Sequence, residues 1–163
     1  MASLLDANVF IQSKNDFYAF DVHPGFWQWL DEAFAKGLVC SVDAVRDELI
    51  GYGDELSDWA AARPDFFFKP DITVVAGLAR VSAWANSSTY PVAAIATFLQ
   101  GADYYLVGHA LAKGDTVVTL EKAGAIKRIK IPDACNALRV PYVGLFPMLK
   151  EAGAKFVLGP CTP

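Results

Sequence analysis

"SLLDANVFIQ", residues 3–12, places a carboxylate inside the first apolar run of the chain. Leu4 and Leu5 lead into Asp6, and Val9, Phe10 and Ile11 follow. A buried carboxylate costs several kcal/mol unless something pairs with it. An aspartate at the exit of a buried strand, facing a crevice, avoids that cost and is available for chemistry. On this reading residues 3–6 form a short buried strand, and a helix starts near Asn8.

Outward from this stretch, strands and helices alternate. "DVHPG" is turn chemistry. In "FWQWLDEAFAKG" Phe26, Trp29, Leu30, Ala33 and Phe34 recur at helical spacing, with Gly37 as a stop and Trp27 off the stripe. "LVCS" predicts a strand, and Ser41 is placed to cap the helix "VDAVRDELI", closed by Gly51 and Gly53. "DELSDWAAA" predicts a short helix, and "PDFFFKPD" a loop or extended piece. "ITVVAGLARVSAWA" is long enough for a helix with Ile72, Val75, Leu78, Ala79 and Ser82 on one stripe. "VAAIATFL" and "DYYLVGHALAKG" predict helices, and "TVVTL" a buried strand. "KRIKI" alternates basic and apolar residues like a further strand, before the helix "PDACNAL". "KFVL" near the end is strand-like. The alternation predicts an α/β fold: a central, mostly parallel sheet covered by helices on both faces, in one domain spanning residues 1–163. In such sheets the ligand site lies beyond the carboxyl ends of the strands, which is where Asp6 stands.

Composition narrows the functional classes. Hydrophobic residues make up 54% and charged residues 20%, so the chain is globular and not disordered. A mean hydropathy of +0.29 is high and implies a generous core or a covered apolar surface. The longest apolar stretches fall well short of the ~20 residues of a membrane span. Asp6 interrupts any signal-peptide core, so a cytoplasmic location is expected. Cys40, Cys135 and Cys161 show no CxxC spacing and read as reduced thiols. His23 and His109 are too few and too far apart in sequence for a zinc site. A net charge of −4 and a pI near 5.0 argue against a basic nucleic-acid binder, though not against an acidic site that holds cations. The one basic cluster is Lys122, Lys127, Arg128 and Lys130, which is either a solvated strand face or a contact to nucleic-acid phosphates.

The carboxylates beside apolar runs carry the chemistry. Asp6 ends the first strand, Glu48 lies in "VRDELI", Asp103 follows "FLQGA", and Glu121 follows "VVTL". Strand ends and helix starts of a doubly wound sheet converge on one edge, so all four can share a pocket. Each also has a plainer use: Asp6 or Asp103 as a helix cap, Glu48 as a surface glutamate rivalled by Asp47, Glu121 in a turn pair with Lys122. Four bare anions cannot share a pocket. A hard dication such as Mg²⁺ or Mn²⁺ takes oxygen ligands and resolves the repulsion. Two such ions about 3.5–4 Å apart could activate a water and stabilise the leaving oxygen of a phosphodiester.

Together, "LLDANVFI", "GFWQWL", "LVCSVDAVRDEL", "FLQGADYYLVGHALAKGDTVVTLE" and "KIPDACNAL" resemble the PIN-like family described as a domain of unknown function (DUF4411), within the PIN-domain nuclease superfamily. The resemblance covers nearly the whole chain and implies a three-layer α/β/α PIN-like fold. It assigns the acidic positions to Asp6, Glu48, Asp103 and Glu121, as catalytic and metal-holding residues. Glu121 departs from the Asp or Asn usual in the superfamily, and Asp133 is its substitute candidate, unless Asp133 is a helix N-cap. Asn8, Ser41 and Thr119 are expected to orient the carboxylates by hydrogen bonds. The implied activity is a Mg²⁺- or Mn²⁺-dependent endoribonuclease, leaving a 5′-phosphate and a 3′-hydroxyl. The implied setting is the toxin of a bacterial type II toxin–antitoxin pair, with RNA as substrate, a cognate antitoxin and a homodimer as partners, and no membrane. The competing expectations are a PIN-like module that only binds and a haloacid-dehalogenase-like phosphatase. The latter needs a general acid where this chain has Asn8. Tyr104 and Tyr105, directly after Asp103, are candidates for base stacking or for core packing.

Overall fold

The computed structural model describes residues 1–159, so Cys161 lies outside the described residues. Five strands form one sheet: β1 (Ser3–Leu5), β2 (Val39–Val42), β3 (Phe67–Phe68), β4 (Thr116–Val118) and β5 (Tyr142–Val143). Their order is β3-β2-β1-β4-β5, and every neighbouring pair is parallel. The helices are α1 (Ala7–Gln12), α2 (Pro24–Ala35), α3 (Asp43–Ile50), α4 (Glu55–Ala61), α5 (Ile72–Ser87), α6 (Val92–Gln100), α7 (Ala102–Lys113), α8 (Ile131–Leu138) and α9 (Leu145–Glu151).

The strands are short but apolar at successive positions. Leu4, Leu5, Val117 and Val118 are fully buried, and all four residues of β2 are buried. A strand buried at consecutive positions is covered on both faces, so the architecture is a three-layer α/β/α sandwich. The chain winds outward from β1 through β2 to β3, then returns past β1 to β4 and β5. The switch point therefore falls between β1 and β4, whose register pairs Leu5 with Val118. The next residues on each strand, Asp6 and Thr119, emerge side by side at that crevice, where the Asp6 N–H donates to the Val118 carbonyl at 3.0 Å.

Two long helices cross at a pair of glycines. An added Cβ at Gly77 of α5 would run into the Gly108 carbonyl, and one at Gly108 of α7 would run into Leu78. α7 in turn packs on β2 and β4. The start of α7, with Asp103, is thereby fixed over the crevice.

Several expectations are corrected. The α2 stripe is Phe26, Trp27, Leu30 and Ala33, with Trp29 only half-buried. Trp27 is 4% exposed because it stacks on Phe20 at 4.0 Å and its indole N–H donates to the Tyr18 carbonyl at 2.8 Å. The α5 stripe is Val74, Gly77, Leu78, Val81 and Ala85, which leaves Ile72 and Val75 exposed. An almost wholly apolar helix gives its own sequence little means to mark the buried side. "PDFFFKPD" contributes the edge strand β3. "KRIKI" is not a strand: β5 takes the place beside β4, and residues 121–130 form an irregular loop. Nor is "KFVL" a strand; Phe156 instead packs edge-on against Tyr18, Phe26 and Trp29. Ser41 caps no helix, and Asp133 is no N-cap, since Lys130 precedes α8. Cys40 and Cys135 are free thiols, and burial pushes the pKa of each up to about 12. His23 is exposed, and His109 is buried on α7 near Asp115. Among the described residues no helix is long and apolar enough to cross a membrane.

Candidate active site

Asp6 anchors the site from below. It is 1% exposed, directly after β1, and its own backbone carbonyl accepts the first bond of the following turn, from Val9. The Thr119 hydroxyl donates to Asp6 Oδ2 at 2.9 Å. The same Thr119 oxygen accepts the Glu121 N–H at 3.1 Å. The exits of β1 and β4 are thus tied through one threonine. Ser41 acts a step further back: its hydroxyl donates to the Leu5 carbonyl at 2.6 Å, tying β2 to β1 just before Asp6. The Ser41 hydroxyl bonds backbone, then, and not a carboxylate. Asn8 also acts through its backbone, whose N–H faces the Asp6 carboxylate.

A cavity of about 490 Å³ has Glu48, Asp103 and Glu121 in its wall; Asp6 does not line it, but it is near enough for its charge to act on Asp103 and to feel Glu121 and Glu48. α6 forms one side with Ala93, Ala94, Thr97 and Phe98, and the 121–130 loop forms another with Lys127, Arg128 and Ile129. Glu48 comes from α3 and Asp103 from the first turn of α7. Asp47, the rival of Glu48, does not line this cavity; both line an adjoining one.

The charges press on one another. Burial, aided by Glu121 and Glu48, raises the Asp6 carboxyl to about 7, against the pull of Thr119 and the Asn8 N–H. Asp103 is pushed up to about 8, first by burial and then by Asp6, Glu121 and Glu48, with Arg128 drawing it back. Glu48 is also raised by the cavity wall, and the Ala102 N–H opposes the shift. Like charges raising one another's affinity for protons is how clustered carboxylates behave without a cation.

The two acids that compete for the fourth position have different jobs. The Glu121 carboxylate reaches the cavity and accepts the Ile131 N–H at 3.0 Å. Asp133 accepts the Gly124 N–H at 2.7 Å, pinning the loop, and it does not line the cavity. The tyrosines divide: the Tyr104 hydroxyl donates to the Leu78 carbonyl at 3.1 Å within the helix pair, and Tyr105 lines the adjoining cavity. The α6 wall had no signal in the sequence, since Ala93, Thr97 and Phe98 look like any helix face.

The donor set is all carboxylate oxygen, which suits a hard dication. Among the described residues no three His, Cys, Asp or Glu side chains are arranged to hold one ion by themselves. The fit to such an ion is thus one of donor chemistry, with water completing the shell, as Mg²⁺ commonly requires.

Fold and site together define a doubly wound α/β domain with an acidic crevice at its topological switch point. The family model described as Domain of unknown function (DUF4411) matches residues 3–156, and the chain belongs to that family. No curated protein and no solved structure matches the chain.

Proposed function

We propose that this protein is a Mg²⁺- or Mn²⁺-dependent endoribonuclease of PIN-like type, hydrolysing RNA phosphodiester bonds. One observation carries the reading: four acids from four separate chain segments gather at the switch point, and two of them are raised to about 7 and 8. Asp6, Asp103 and Glu48, helped by Glu121, would hold the ion in part through bridging waters, since no three of them are arranged to ligate it directly. When bound, the ion supplies charge neutralisation at the phosphate and a more acidic water. The protein's own groups do the positioning. Thr119 holds the Asp6 carboxylate in orientation, and Ser41 fixes the strand end that presents it. Burial keeps Asp6 from bulk water and strengthens the electrostatic contacts it makes. The α6 residues Ala93, Ala94, Thr97 and Phe98 border the cavity beside these acids.

The resemblance to PIN-like toxins extends the proposal to a cytoplasmic toxin of a type II toxin–antitoxin pair. A protein antitoxin covering the groove, and a homodimer, would be its partners. The exposed apolar side chains, such as Phe146 and Val92, are in keeping with a covered surface.

The test is cleavage of a mixed cellular RNA pool with Mg²⁺, with Mn²⁺ and with EDTA, for wild type and Asp6→Asn side by side. Cleavage by wild type alone, lost in EDTA, is expected. Undiminished cleavage by folded, metal-saturated Asp6→Asn would overturn the assignment. Binding of RNA without cleavage under any condition would make the protein a binding module.

A further inference from the structure

Two cavities meet at Glu48 and Ala102, and they differ in charge. The first brings Lys127 and Arg128 opposite Glu48, Asp103 and Glu121. The second, about 520 Å³, is lined by Asp43, Asp47 and Glu48 with no cation. Of the two cavities, the second repels a polyanionic strand and the first offers it counter-charges. We propose that Lys127 and Arg128 clamp the phosphate backbone of single-stranded RNA, so that the substrate enters across the first cavity and not along the second. The proposal rests on the ribonuclease reading and adds the direction of entry and the residues that set it.

The loop geometry supports a clamp over a merely solvated face. Both side chains are exposed, and neither makes an ion pair among the described residues. Arg128 acts on Asp103 through space without an ion pair, so both side chains keep their hydrogen-bond donors open to a ligand. Residues 121–130 have no regular secondary structure, yet the loop is held at three points. Glu121 accepts the Ile131 N–H, Asp133 accepts the Gly124 N–H, and Ile129 is buried at 6% exposure directly after Arg128. A loop pinned in this way presents two cations at a set place beside the acids. Arginine and lysine at such a position bind phosphate oxygens by charge-assisted hydrogen bonds.

The experiment measures anisotropy of a short fluorescein-labelled single-stranded RNA across a salt series, in EDTA. The parent protein carries Asp103→Asn, so nothing is cleaved. Adding Lys127→Gln and Arg128→Gln should weaken binding about tenfold and flatten the slope of log K against log salt by ~1.4, two contacts at ~0.7 each. Adding Asp43→Asn and Asp47→Asn should not weaken it. Equal affinity and slope with and without the two glutamines would overturn the clamp, as would no RNA binding by the parent. Both substituted side chains are exposed, and a melting curve for each variant guards against misfolding. Wild-type cleavage is scored separately. A flattened slope without any cleavage keeps the clamp and removes the nuclease, and cleavage with an unchanged slope does the reverse.

Discussion

Of the four clustered acids, Asp103 shows the plainest link between charge and stability. Its carboxyl rises from 3.8 to about 8 on folding, through burial and three neighbouring acids. A carboxyl raised in the folded state contributes stability that is present below its unfolded value and is lost as pH rises through its folded value. The metal-free protein should therefore lose stability between about pH 4 and pH 8. Asp103→Asn removes the repulsion, so its melting temperature in EDTA should exceed that of wild type at pH 8. The gain should be about 3 °C or more, on a scale of ~2–4 °C per kcal/mol, and should vanish near pH 4. A melting series over pH for the two proteins measures this. Equal melting temperatures at pH 8 would mean that Asp103 is not under charge repulsion.

At the scale of elements, the crossing of α5 and α7 decides where Asp103 sits. Gly77 and Gly108 let the helix backbones touch, and no other residue fits without moving one of them. Gly77→Ala should destabilise by about 1–3 kcal/mol, as overpacking against backbone does, although alanine is the better helix former. Gly25, in the first turn of α2, has nothing near its Cβ position, so propensity acts unopposed and Gly25→Ala should stabilise by up to about 1 kcal/mol. Urea unfolding of both variants separates packing from propensity. Helix propensity alone would predict that both substitutions stabilise.

For the whole molecule, a dication bound by the folded chain and not by the unfolded one must stabilise it. At 100 times its Kd the gain is about 2.7 kcal/mol, or roughly 5–11 °C for a chain of this size. Mn²⁺ at pH 8 should therefore raise the melting temperature of wild type and leave that of Asp6→Asn nearly unmoved. The rise should shrink at pH 6, where Asp6 and Asp103, raised to about 7 and 8, hold protons that compete with the ion. An equal rise in wild type and Asp6→Asn would place the ion elsewhere. The alternation of "SLLD", "LVCS" and "TVVTL" with helical stretches was enough to specify a doubly wound sheet, because consecutive apolar residues in a short segment require cover on both faces. That Asp6, Glu48, Asp103 and Glu121 come near one another was legible for a related reason: acids beside apolar runs fall at strand ends and helix starts, which converge on one edge of such a sheet. What sequence alone left undecided was the buried side of α5, the loop at residues 121–130, and the choice between Glu121 and Asp133. An apolar helix buries whichever side its neighbours meet, and here the Gly77–Gly108 contact made that choice. "KRIKI" alternates like a strand, but β5 took the edge of β4 and left it a pinned loop. Asp133 and Glu121 are equally plausible carboxylates in a line of letters. Only the tertiary structure separated them: Asp133 takes the Gly124 amide outside the crevice, while Glu121 takes the Ile131 amide at the start of α8 and lines it.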